Sequence, residues 1–414
     1  MLKSDDLINK VKSYNKFLNP ETLDKAYNFA VKAHENQKRH SGDPYVIHPV
    51  AVANILTELK LDSATIATGL LHDTIEDTHA TYQTIKDEFG QEVADLVEGV
   101  TKISELENQA TANSRAENFR KLIIATSKDI RVLLVKIADR LHNMRTISSI
   151  DKIEKRERIA KETMEIYSPL ADRMGMNRIR DELEDLSFEV LNPNARKLIK
   201  DRLDKIKENN LISFNAVAEE FIKLLQDHGL VARIFGREKT PFSLWRKMQN
   251  KRISLEQITD IMGFRIILDD ISACYKSLGI FHNKWNCIPG KFKDYISSPK
   301  INKYQSLHTA IIGPNQRPIE IQLRTMQMHE FAQRGVASHW KYKSSEKFNS
   351  LTWKEYDWLA DLVEIIEKNQ NPEDFYEYTK LQMFHENVFC FTPKGSVIKL
   401  PKDATPIDFA YAVH

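Results

Sequence analysis

The 414-residue sequence has few cysteines and no long apolar run. Its three cysteines, Cys274, Cys287 and Cys390, show neither CxxC nor zinc-type spacing, which excludes a disulfide framework and a zinc finger. No stretch approaches the roughly 18 consecutive apolar residues that a membrane-spanning helix requires. The N-terminal stretch MLKSDDLINK lacks the apolar core of a signal peptide. We therefore expect a cytoplasmic protein that is not inserted into a membrane.

Glycine and proline are also scarce, at 13 and 14 residues. This scarcity excludes collagen-like and low-complexity chains, and 42% hydrophobic with 29% charged residues is typical of a globular protein. Because a domain usually contains about 100 to 200 residues, the length predicts more than one domain.

The formal net charge is only +2, from 60 basic and 58 acidic residues, which argues against a protein that coats nucleic acid. The charge is unevenly distributed along the chain. Residues 64–107 contain ten acidic and two basic side chains, whereas residues 231–303 contain fourteen basic and six acidic ones. An acidic stretch is suited to metal and a basic stretch to phosphate, although either could be a solvated helix face.

Hydrophobic periodicity divides the chain into a helical half and a mixed half. Apolar residues spaced three and four apart, such as Ile66, Leu70 and Leu71, predict helices through the first half. Short β-branched or alternating runs then predict strands at residues 231–235, 264–268, 309–312 and 319–323. We predict an all-α domain at residues 1–200, an α+β domain at 201–345, a helical linker at 346–386 and an incomplete β-rich domain at 387–414.

Acidic side chains surround a histidine in the helical half. His72 and Asp73 are adjacent in an otherwise apolar helix, and Glu76 and Asp77 follow one helical turn later, which places a carboxylate beside each of the first two. Taken alone, His72 would more often be a core residue than a ligand.

Two further segments supply matching ligand candidates. His48 precedes Pro49, a residue that favours the first turn of a helix, and Asp139 lies in another apolar helix. Together with His72 and Asp73 they offer two imidazoles and two carboxylates. This set suits a divalent ion of intermediate hardness such as Mn²⁺ and leaves positions for water and a phosphate oxygen.

The mixed half contains a basic groove without a phosphate-binding loop. Neither GxxxxGK[ST] nor GxGxxG is present, so side chains must hold any phosphate. Tyr304 lies among the cations, where its ring could stack on a base. The charged candidates are Arg237, Lys239, Arg246, Lys247, Lys293, Lys300, Lys303 and His308. Arg246 and Lys247 could equally belong to a surface helix.

Two carboxylates stand apart within this basic region. Asp260 precedes an apolar run, and along RPIEIQLRT the alternation sends Glu320, Gln322 and Arg324 to one face of a strand. Carboxylates at strand positions that face a phosphate groove are suited to Mg²⁺. Either acid alone could be an ordinary surface residue.

These segments resemble one family of nucleotide enzymes. Residues 39–49, 71–78, 99–103 and 135–146 resemble the metal-dependent HD phosphohydrolases, and within them the RelA/SpoT-type alarmone enzymes. The motifs KDYI, YQSLHT, EIQLRT and HW resemble the pyrophosphokinase domain of the same family, and the tail from residue 387 resembles the start of a TGS domain. The resemblance implies an all-α HD-type metallohydrolase domain, an α+β nucleotidyltransferase-like synthetase domain and an incomplete, β-rich TGS domain.

For the helical half, the resemblance implies hydrolysis of the 3′-pyrophosphate of ppGpp or pppGpp, which yields GDP or GTP and pyrophosphate. It implies Mn²⁺ held by His48, His72, Asp73 and Asp139, with Glu76 and Asp77 orienting or deprotonating the attacking water. The implied nucleotide contacts are Arg39, Ser41, Arg140 and Asn143. The family commonly has lysine where this chain has His40. We assign no ligand role to His34, His79 or His142 and expect core or solvated histidines there.

For the mixed half, the resemblance implies transfer of pyrophosphate from ATP to the 3′-hydroxyl of GDP or GTP. Asp260 would hold Mg²⁺, and Glu320 would bind metal or act as the base. Tyr304 would stack on guanine. The remaining implied nucleotide contacts are Arg237, Lys239, Lys247, Lys293, Lys300, Asn302, His308 and Gln322.

Three departures from the family pattern bear on synthesis. Lys303 replaces a usual glycine, which matters if the backbone there needs a positive φ; Gln333 and Ser338 replace a usual glutamate and alanine. Two alternatives to a bifunctional enzyme therefore remain: a hydrolase with a degenerate synthetase domain, or a non-catalytic sensor of guanosine nucleotides. Family members sense the ribosome, tRNA or acyl carrier protein through TGS and later regions, so we expect such partners only through those regions.

Overall fold

The computed structural model describes residues 2–15, 18–108, 114–237, 239–255, 263–314, 318–339, 359, 387–391, 397–401 and 404–413. The chain divides into two compact units, residues 1–142 with 342–414 and residues 143–341. The boundary predicted after residue 200 lies inside one continuous helix, Pro193–Asp227. Apart from Leu359, the predicted linker at 346–386 lies outside the described residues.

The described part of residues 2–142 is helical, as the apolar periodicity predicts. The helices are α1 Ser4–Lys12, α2 Pro20–Ala33, α3 Ile47–Glu58, α4 Ser63–Leu71, α5 Thr74–Asp77, α6 Tyr82–Phe89, α7 Gln91–Asn108, α8 Ser114–Lys128 and α9 Ile130–Arg145. Polar caps fix several starts; for example, Asp62 Oδ1 accepts a hydrogen bond from Thr65 N at 2.7 Å. His48 occupies the first turn of α3, as its position before Pro49 predicts.

Apolar side chains on α3, α4 and α9 form the core of this unit. Ile66, Leu70 and Leu71 are fully buried, and the α9 residues Leu133 and Ile137 are equally inaccessible. The helix that carries His72 and Asp73 was expected to run on to Asp77, whereas α4 ends at Leu71 and α5 starts at Thr74. The chain retains one helical hydrogen bond across this break, from Asp77 N to Asp73 O at 2.9 Å.

The second unit begins with helices and ends with a sheet. Its helices are α10 Ile153–Glu162, α11 Ser168–Arg173, α12 Asn177–Leu191, α13 Pro193–Asp227, α14 Pro241–Lys251, α15 Ile271–Lys284 and α16 Met326–Arg334, with a π-helical turn at Thr163–Tyr167 joining α10 to α11. Phe188, Leu203, Phe242 and Leu244 form a cluster that joins α12, α13 and α14.

The turn between α11 and α12 packs closely on the segment that follows α16. Val336 N donates to Met174 O at 2.8 Å, and Asn302 Nδ2 donates to Asp172 O at 3.0 Å. Gly335 adopts φ +58°, and a Cβ added there would lie 1.9 Å from Met174 O. The connecting helices and the sheet domain therefore share backbone contacts that only glycine permits at this position.

The described strands of the second unit form one mixed sheet with the order β1-β2-β5-β4-β3. The strands are β1 Arg233–Arg237, β2 Gly263–Leu268, β3 Lys293–Asp294, β4 Leu307–Ile312 and β5 Pro318–Thr325. β2 and β5 are parallel and the other pairs are antiparallel. All strands predicted in this region are confirmed, with small changes of boundary; β3 was not predicted, because two residues carry no alternation.

The sheet has one apolar face and one polar face. Phe264, Ile266, Leu307, Ile321 and Leu323 are buried in a cluster with residues of α13 and α15. The opposite face carries Glu320, Gln322 and Arg324, as the alternation predicts, because successive strand residues point to opposite sides. This polar face forms the wall of the nucleotide groove.

The described C-terminal segments comprise an antiparallel hairpin and a helix. The elements are β6 Asn387–Phe391, β7 Val397–Pro401 and α17 Pro406–Val413. Between the two strands, the pair Lys394-Gly395, which favours a turn, lies outside the described residues. Within the described residues, no helix combines the length and the apolar character needed to cross a bilayer.

Candidate metal centre and nucleotide groove

Three segments that are distant in sequence bring their ligand candidates together in the first unit. His48 Nε2 lies 3.2 Å from Asp139 Oδ1 and 3.5 Å from Asp73 Oδ2, and His72 Nε2 lies 3.1 Å from Asp73 Oδ1. One ligand atom from each of His48, His72 and Asp139 falls within 4.8 Å of the others. All four side chains are buried. The spacing suits four donors around one small cation.

The ring of His72 has a defined tautomer. Its Nδ1 lies 2.9 Å from the carbonyl oxygen of Gly69, and because a carbonyl only accepts, Nδ1 carries the hydrogen. Nε2 therefore presents a lone pair; it is buried and makes no hydrogen bond within the described part of the chain. A buried lone pair that faces carboxylates is unfavourable unless a cation lies between them, because buried polar groups require partners. The residues therefore fit a divalent metal.

Charged neighbours keep the two aspartates ionised. Burial opposes ionisation of Asp139, but Lys136 and the two imidazoles hold its pKa well below the usual range. Lys136 Nζ lies 3.1 Å from Asp139 Oδ2 and donates to Ser104 Oγ at 2.9 Å. The pKa of Asp73 is also lowered, because His72 and His48 outweigh the effect of burial. Both carboxylates are thus ready to bind a cation.

The acids beside this centre have a different environment. Burial, together with the charges of Asp73 and Asp77, raises the pKa of Glu76 to about 7. A carboxyl that titrates near neutral pH is suited to accept a proton from water.

The hydroxyl of Tyr45 lies 2.8 Å from Oδ2 of both Asp73 and Asp77. Tyr45 was not predicted, since a single tyrosine in a loop gives no sequence signal.

Among the nucleotide contacts predicted for the helical half, Arg39 is linked to the ligand cluster through His142. Arg39 Nη1 lies 3.1 Å from His142 Nδ1, and exposed Ser41 donates to Asp43 at 2.8 Å. Arg140 and Asn143 follow Asp139 on α9, and Arg140 is buried.

The three histidines without an assigned ligand role differ in exposure. His34 and His142 are buried, and His79 is exposed. His34 stacks on the ring of Tyr45 with a centroid distance of 4.8 Å. His142 Nδ1, however, lies 2.8 Å from His48 Nδ1, a contact that the sequence did not indicate.

The second unit contains a cavity of about 340 Å³ on the polar face of the sheet. Six predicted residues line it: Arg237, Lys239, Lys293, Lys300, His308 and Glu320. Backbone register explains this grouping, because His308 pairs with both Lys293 and Gln322 across adjacent strands. Gln322 Nε2 donates to Glu320 Oε1 at 3.3 Å. The predicted Asp260 lies outside the described residues.

Glu320 forms ion pairs with two of the predicted nucleotide contacts. Arg237 Nη1 lies 3.0 Å from Oε1 and Lys239 Nζ lies 3.2 Å from Oε2. Burial disfavours the carboxylate, but Lys239 and Arg237 lower its pKa overall. Glu320 is therefore ionised at neutral pH and electrostatically satisfied.

The predicted stacking residue is held by polar contacts. Tyr304 Oη lies 2.9 Å from His308 Nε2, and Lys300 Nζ lies 5.6 Å from the centroid of the Tyr304 ring. Burial lowers the pKa of His308 to about 3, so this imidazole is neutral. Lys247 lies on α14 and is not one of the residues that line the cavity.

The loop that precedes Tyr304 contains a residue in the left-handed region. Lys303 adopts φ +60°, so the condition under which its departure from glycine matters is met. Lys303 N donates to Lys300 O at 2.7 Å, and Asn302 Oδ1 accepts from Tyr304 N at 3.3 Å. Both polar atoms of the Asn302 side chain therefore make hydrogen bonds, because its Nδ2 donates to Asp172 O and its Oδ1 accepts from Tyr304 N.

Two arginines on the polar face were not proposed as site residues. Arg265 pairs with Gln322, and Arg324 is 2% exposed. The Nε of each is buried without a hydrogen-bond partner in the described residues. The available signal was an arginine inside the otherwise apolar strand GFRIIL and another at a polar-face position of the alternating strand PIEIQLRT.

Three family profiles match successive parts of the chain. The HD domain profile matches residues 26–177, the profile described as a region found in RelA / SpoT proteins matches residues 236–347, and the TGS domain profile matches residues 388–414. The metal cluster and the nucleotide groove lie mostly inside the first two matches.

Curated relatives match along nearly the whole chain. GTP pyrophosphokinase rsh of Brucella melitensis is 49% identical over 419 residues, covering 100% of this chain and 56% of that protein. The bifunctional (p)ppGpp synthase/hydrolase SpoT of Escherichia coli K12 is 46% identical over 393 residues, covering 95% of this chain and 56% of that protein. The chain therefore spans about half the length of the curated relatives it matches. From the order of the three domain matches and these identities, the chain belongs to the RelA/SpoT family of long alarmone proteins.

Proposed function

We propose that this protein hydrolyses ppGpp and pppGpp at the first-unit centre and makes them from ATP and GDP or GTP at the second-unit groove. The observation that supports the first activity best is the buried Nε2 of His72, which presents a lone pair beside His48, Asp73 and Asp139. The names of the relatives describe both reactions. We propose the cytoplasm as the place of action, in keeping with the few cysteines.

In the proposed hydrolysis, His48, His72, Asp73 and Asp139 hold Mn²⁺. When bound, this cation lowers the pKa of a water molecule and neutralises phosphate charge. Glu76, with its pKa raised to about 7, takes the proton of the attacking water. The water oxygen forms a bond to the phosphorus attached to O3′ as the P–O3′ bond breaks. The proton taken up by Glu76 is then returned to O3′, so the products are a 3′-hydroxyl and pyrophosphate. Arg39 and Arg140 provide positive charge near the leaving phosphates.

In the proposed synthesis, the 3′-hydroxyl of GDP or GTP attacks the β-phosphorus of ATP, and AMP leaves. Arg237, Lys239 and Lys247 hold the ATP phosphates, while Tyr304 and His308 place the guanosine nucleotide. Asp260 and Glu320 hold Mg²⁺ or, in the case of Glu320, accept the proton of the hydroxyl. Such catalysis consists mainly of positioning and charge neutralisation.

One pair of variants tests the two activities against each other. Asp73→Ala should abolish pyrophosphate release from ppGpp in Mn²⁺ and leave synthesis measurable. Glu320→Gln should abolish formation of ppGpp and AMP from ATP and GDP in Mg²⁺ and leave hydrolysis intact. Normal hydrolysis by Asp73→Ala would refute the metal assignment, and normal synthesis by Glu320→Gln would refute the role of that acid.

A hydrolase with weak synthesis is the second candidate, and two observations favour it. Glu320 is neutralised by the cations that ATP would require, and Lys303 carries a strained φ of +60° next to Tyr304. Wild-type protein that hydrolyses ppGpp but forms none across a range of ATP, GDP and Mg²⁺ concentrations would support this alternative over the bifunctional enzyme.

A further inference from the structure

His142 occupies a position between the metal centre and a predicted nucleotide contact. Its Nδ1 lies 2.8 Å from His48 Nδ1 and 3.1 Å from Arg39 Nη1. The His142 side chain is buried, with 8% of the residue exposed. The three residues come from α9, α3 and the loop before α3. One ring nitrogen of His142 therefore contacts two groups that come from different segments.

The chemistry of the guanidinium decides which atoms carry hydrogen. Arginine only donates hydrogen bonds, so Nδ1 of His142 must present its lone pair to Arg39. That nitrogen then has no hydrogen to give to His48. The 2.8 Å contact between the two imidazoles therefore requires the hydrogen on His48 Nδ1, and the single lone pair of His142 Nδ1 accepts from both His48 and Arg39.

This assignment determines the other nitrogen of His48. A neutral imidazole with hydrogen on Nδ1 presents a lone pair at Nε2. Nε2 is the atom that lies 3.2 Å from Asp139 and 3.5 Å from Asp73. Metal-binding histidines commonly donate their second nitrogen to an acceptor that fixes the tautomer and the ring orientation. For His72 the acceptor is the Gly69 carbonyl; for His48 it is the ring of His142.

We propose that His142 is a positioning residue that fixes the tautomer and orientation of His48 for metal binding. Arg39 holds His142 in the accepting tautomer, so a predicted nucleotide contact is linked to a metal ligand through one imidazole. This inference rests on the metal centre proposed above. His142 itself does not touch the metal.

Three substitutions in the full chain test the role. His142→Leu removes the acceptor and keeps similar bulk, whereas His142→Asn retains an oxygen acceptor close to the place of Nδ1. Exposed His79→Asn is the matched control. The Mn²⁺ affinity of each protein is measured from the free Mn²⁺ signal in electron paramagnetic resonance, and the melting temperature in EDTA checks the fold.

We expect His142→Leu to weaken Mn²⁺ binding about 10- to 100-fold, the usual effect of losing such an acceptor. His142→Asn should restore most of the affinity, and His79→Asn should bind as the wild type does. A His142→Leu protein that binds Mn²⁺ like the wild type, or a folded His142→Asn protein as weak as His142→Leu, would overturn the proposal. Wild-type protein that fails to bind Mn²⁺ would instead refute the metal centre itself.

A spectroscopic measurement covers the case in which the leucine variant does not fold. Histidine ¹⁵N chemical shifts of the metal-free wild type, with His48 assigned by substitution, report which nitrogen carries the hydrogen. The proposal requires hydrogen on Nδ1 of His48. Hydrogen on Nε2 would overturn it without any variant of His142.

Discussion

Lys136 Nζ lies 3.1 Å from Asp139 Oδ2, and both side chains are more than nine-tenths buried. Lys136 thus supplies charge to Asp139 before any metal binds. Breaking a buried pair by removing one partner costs about 3 to 5 kcal/mol, because the other charge stays buried. We expect Lys136→Met to lower the unfolding free energy of the metal-free protein by about this amount, and Mn²⁺ to recover more stability in the variant than in the wild type.

The measurement is urea unfolding followed by circular dichroism, in EDTA and in Mn²⁺. Lys102→Met is the matched control, because the pair between Lys102 and Glu98 is exposed and such pairs contribute less than about 1 kcal/mol. Equal losses in the two variants would show that burial of the Lys136 pair has no special energetic weight.

Glu76 gives the metal-free protein a defined dependence on pH. Its pKa is raised from 4.5 to about 7 by burial and by Asp73 and Asp77. Folding therefore favours the protonated carboxyl of Glu76. The stability that this preference gives the folded protein is fully present below pH 4.5 and is lost as the pH rises through 7. Glu76→Gln should increase the melting temperature in EDTA, and by more at pH 8 than at pH 5. An increase that is the same at both pH values would contradict the raised pKa.

The strained loop at Lys303 predicts a stabilising substitution. A side chain with a Cβ at φ +60° costs about 1 kcal/mol relative to glycine. Lys303→Gly should therefore stabilise the second unit relative to Lys303→Ala by about 1 kcal/mol. Three of the five tryptophans, Trp245, Trp285 and Trp340, belong to the second unit, so urea unfolding followed by tryptophan fluorescence reports mainly on that unit. Equal stabilities of the two variants would show that the loop relaxes to another backbone conformation.

Substitution by alanine should change the stability of the second unit in opposite directions at two of its glycines. At Gly335 the added Cβ would lie 1.9 Å from Met174 O, at φ +58°, so Gly335→Ala should destabilise this unit by about 3 kcal/mol or more. At Gly279, inside α15, nothing lies within 4 Å of the added Cβ, and Gly279→Ala should stabilise by about 1 kcal/mol. Tryptophan fluorescence in urea measures both changes. A neutral Gly335→Ala would mean that the contact with the α11–α12 turn is dispensable.

The sequence predicted the features that depend on local pattern. Apolar spacing located α4 and α9, and alternation placed Glu320 and Gln322 on the polar face of β5. The departure from glycine at Lys303 marked a position whose φ is positive in the structure. These features are determined by residues within one or two turns of the position concerned. The grouping of His48, His72, Asp73 and Asp139 was proposed from chemistry and family resemblance, and the structure brings these side chains together.

Other features depend on contacts between segments that are distant in sequence. The sequence of one segment alone could not predict these contacts. The contact of His142 with His48 joins residues 94 positions apart, and the bond from Asn302 to Asp172 joins residues 130 positions apart. Asn302 was expected only to line a nucleotide site, yet its amide also holds the loop to the connecting helices. The predicted boundary after residue 200 falls inside α13, because that helix contributes Leu203 to one cluster and Phe221 to the sheet core.

The two imidazoles of the proposed metal centre are oriented by different kinds of hydrogen-bond acceptor, and a mutation can remove only one of these acceptors. His72 is oriented by the carbonyl of Gly69, a main-chain group that every amino acid possesses, so no single replacement of a neighbouring side chain deletes its acceptor. The acceptor for His48 is a side chain and can be lost by one codon change at position 142. Drift that erodes the proposed metal centre while sparing all four proposed ligands would therefore begin on the His48 side.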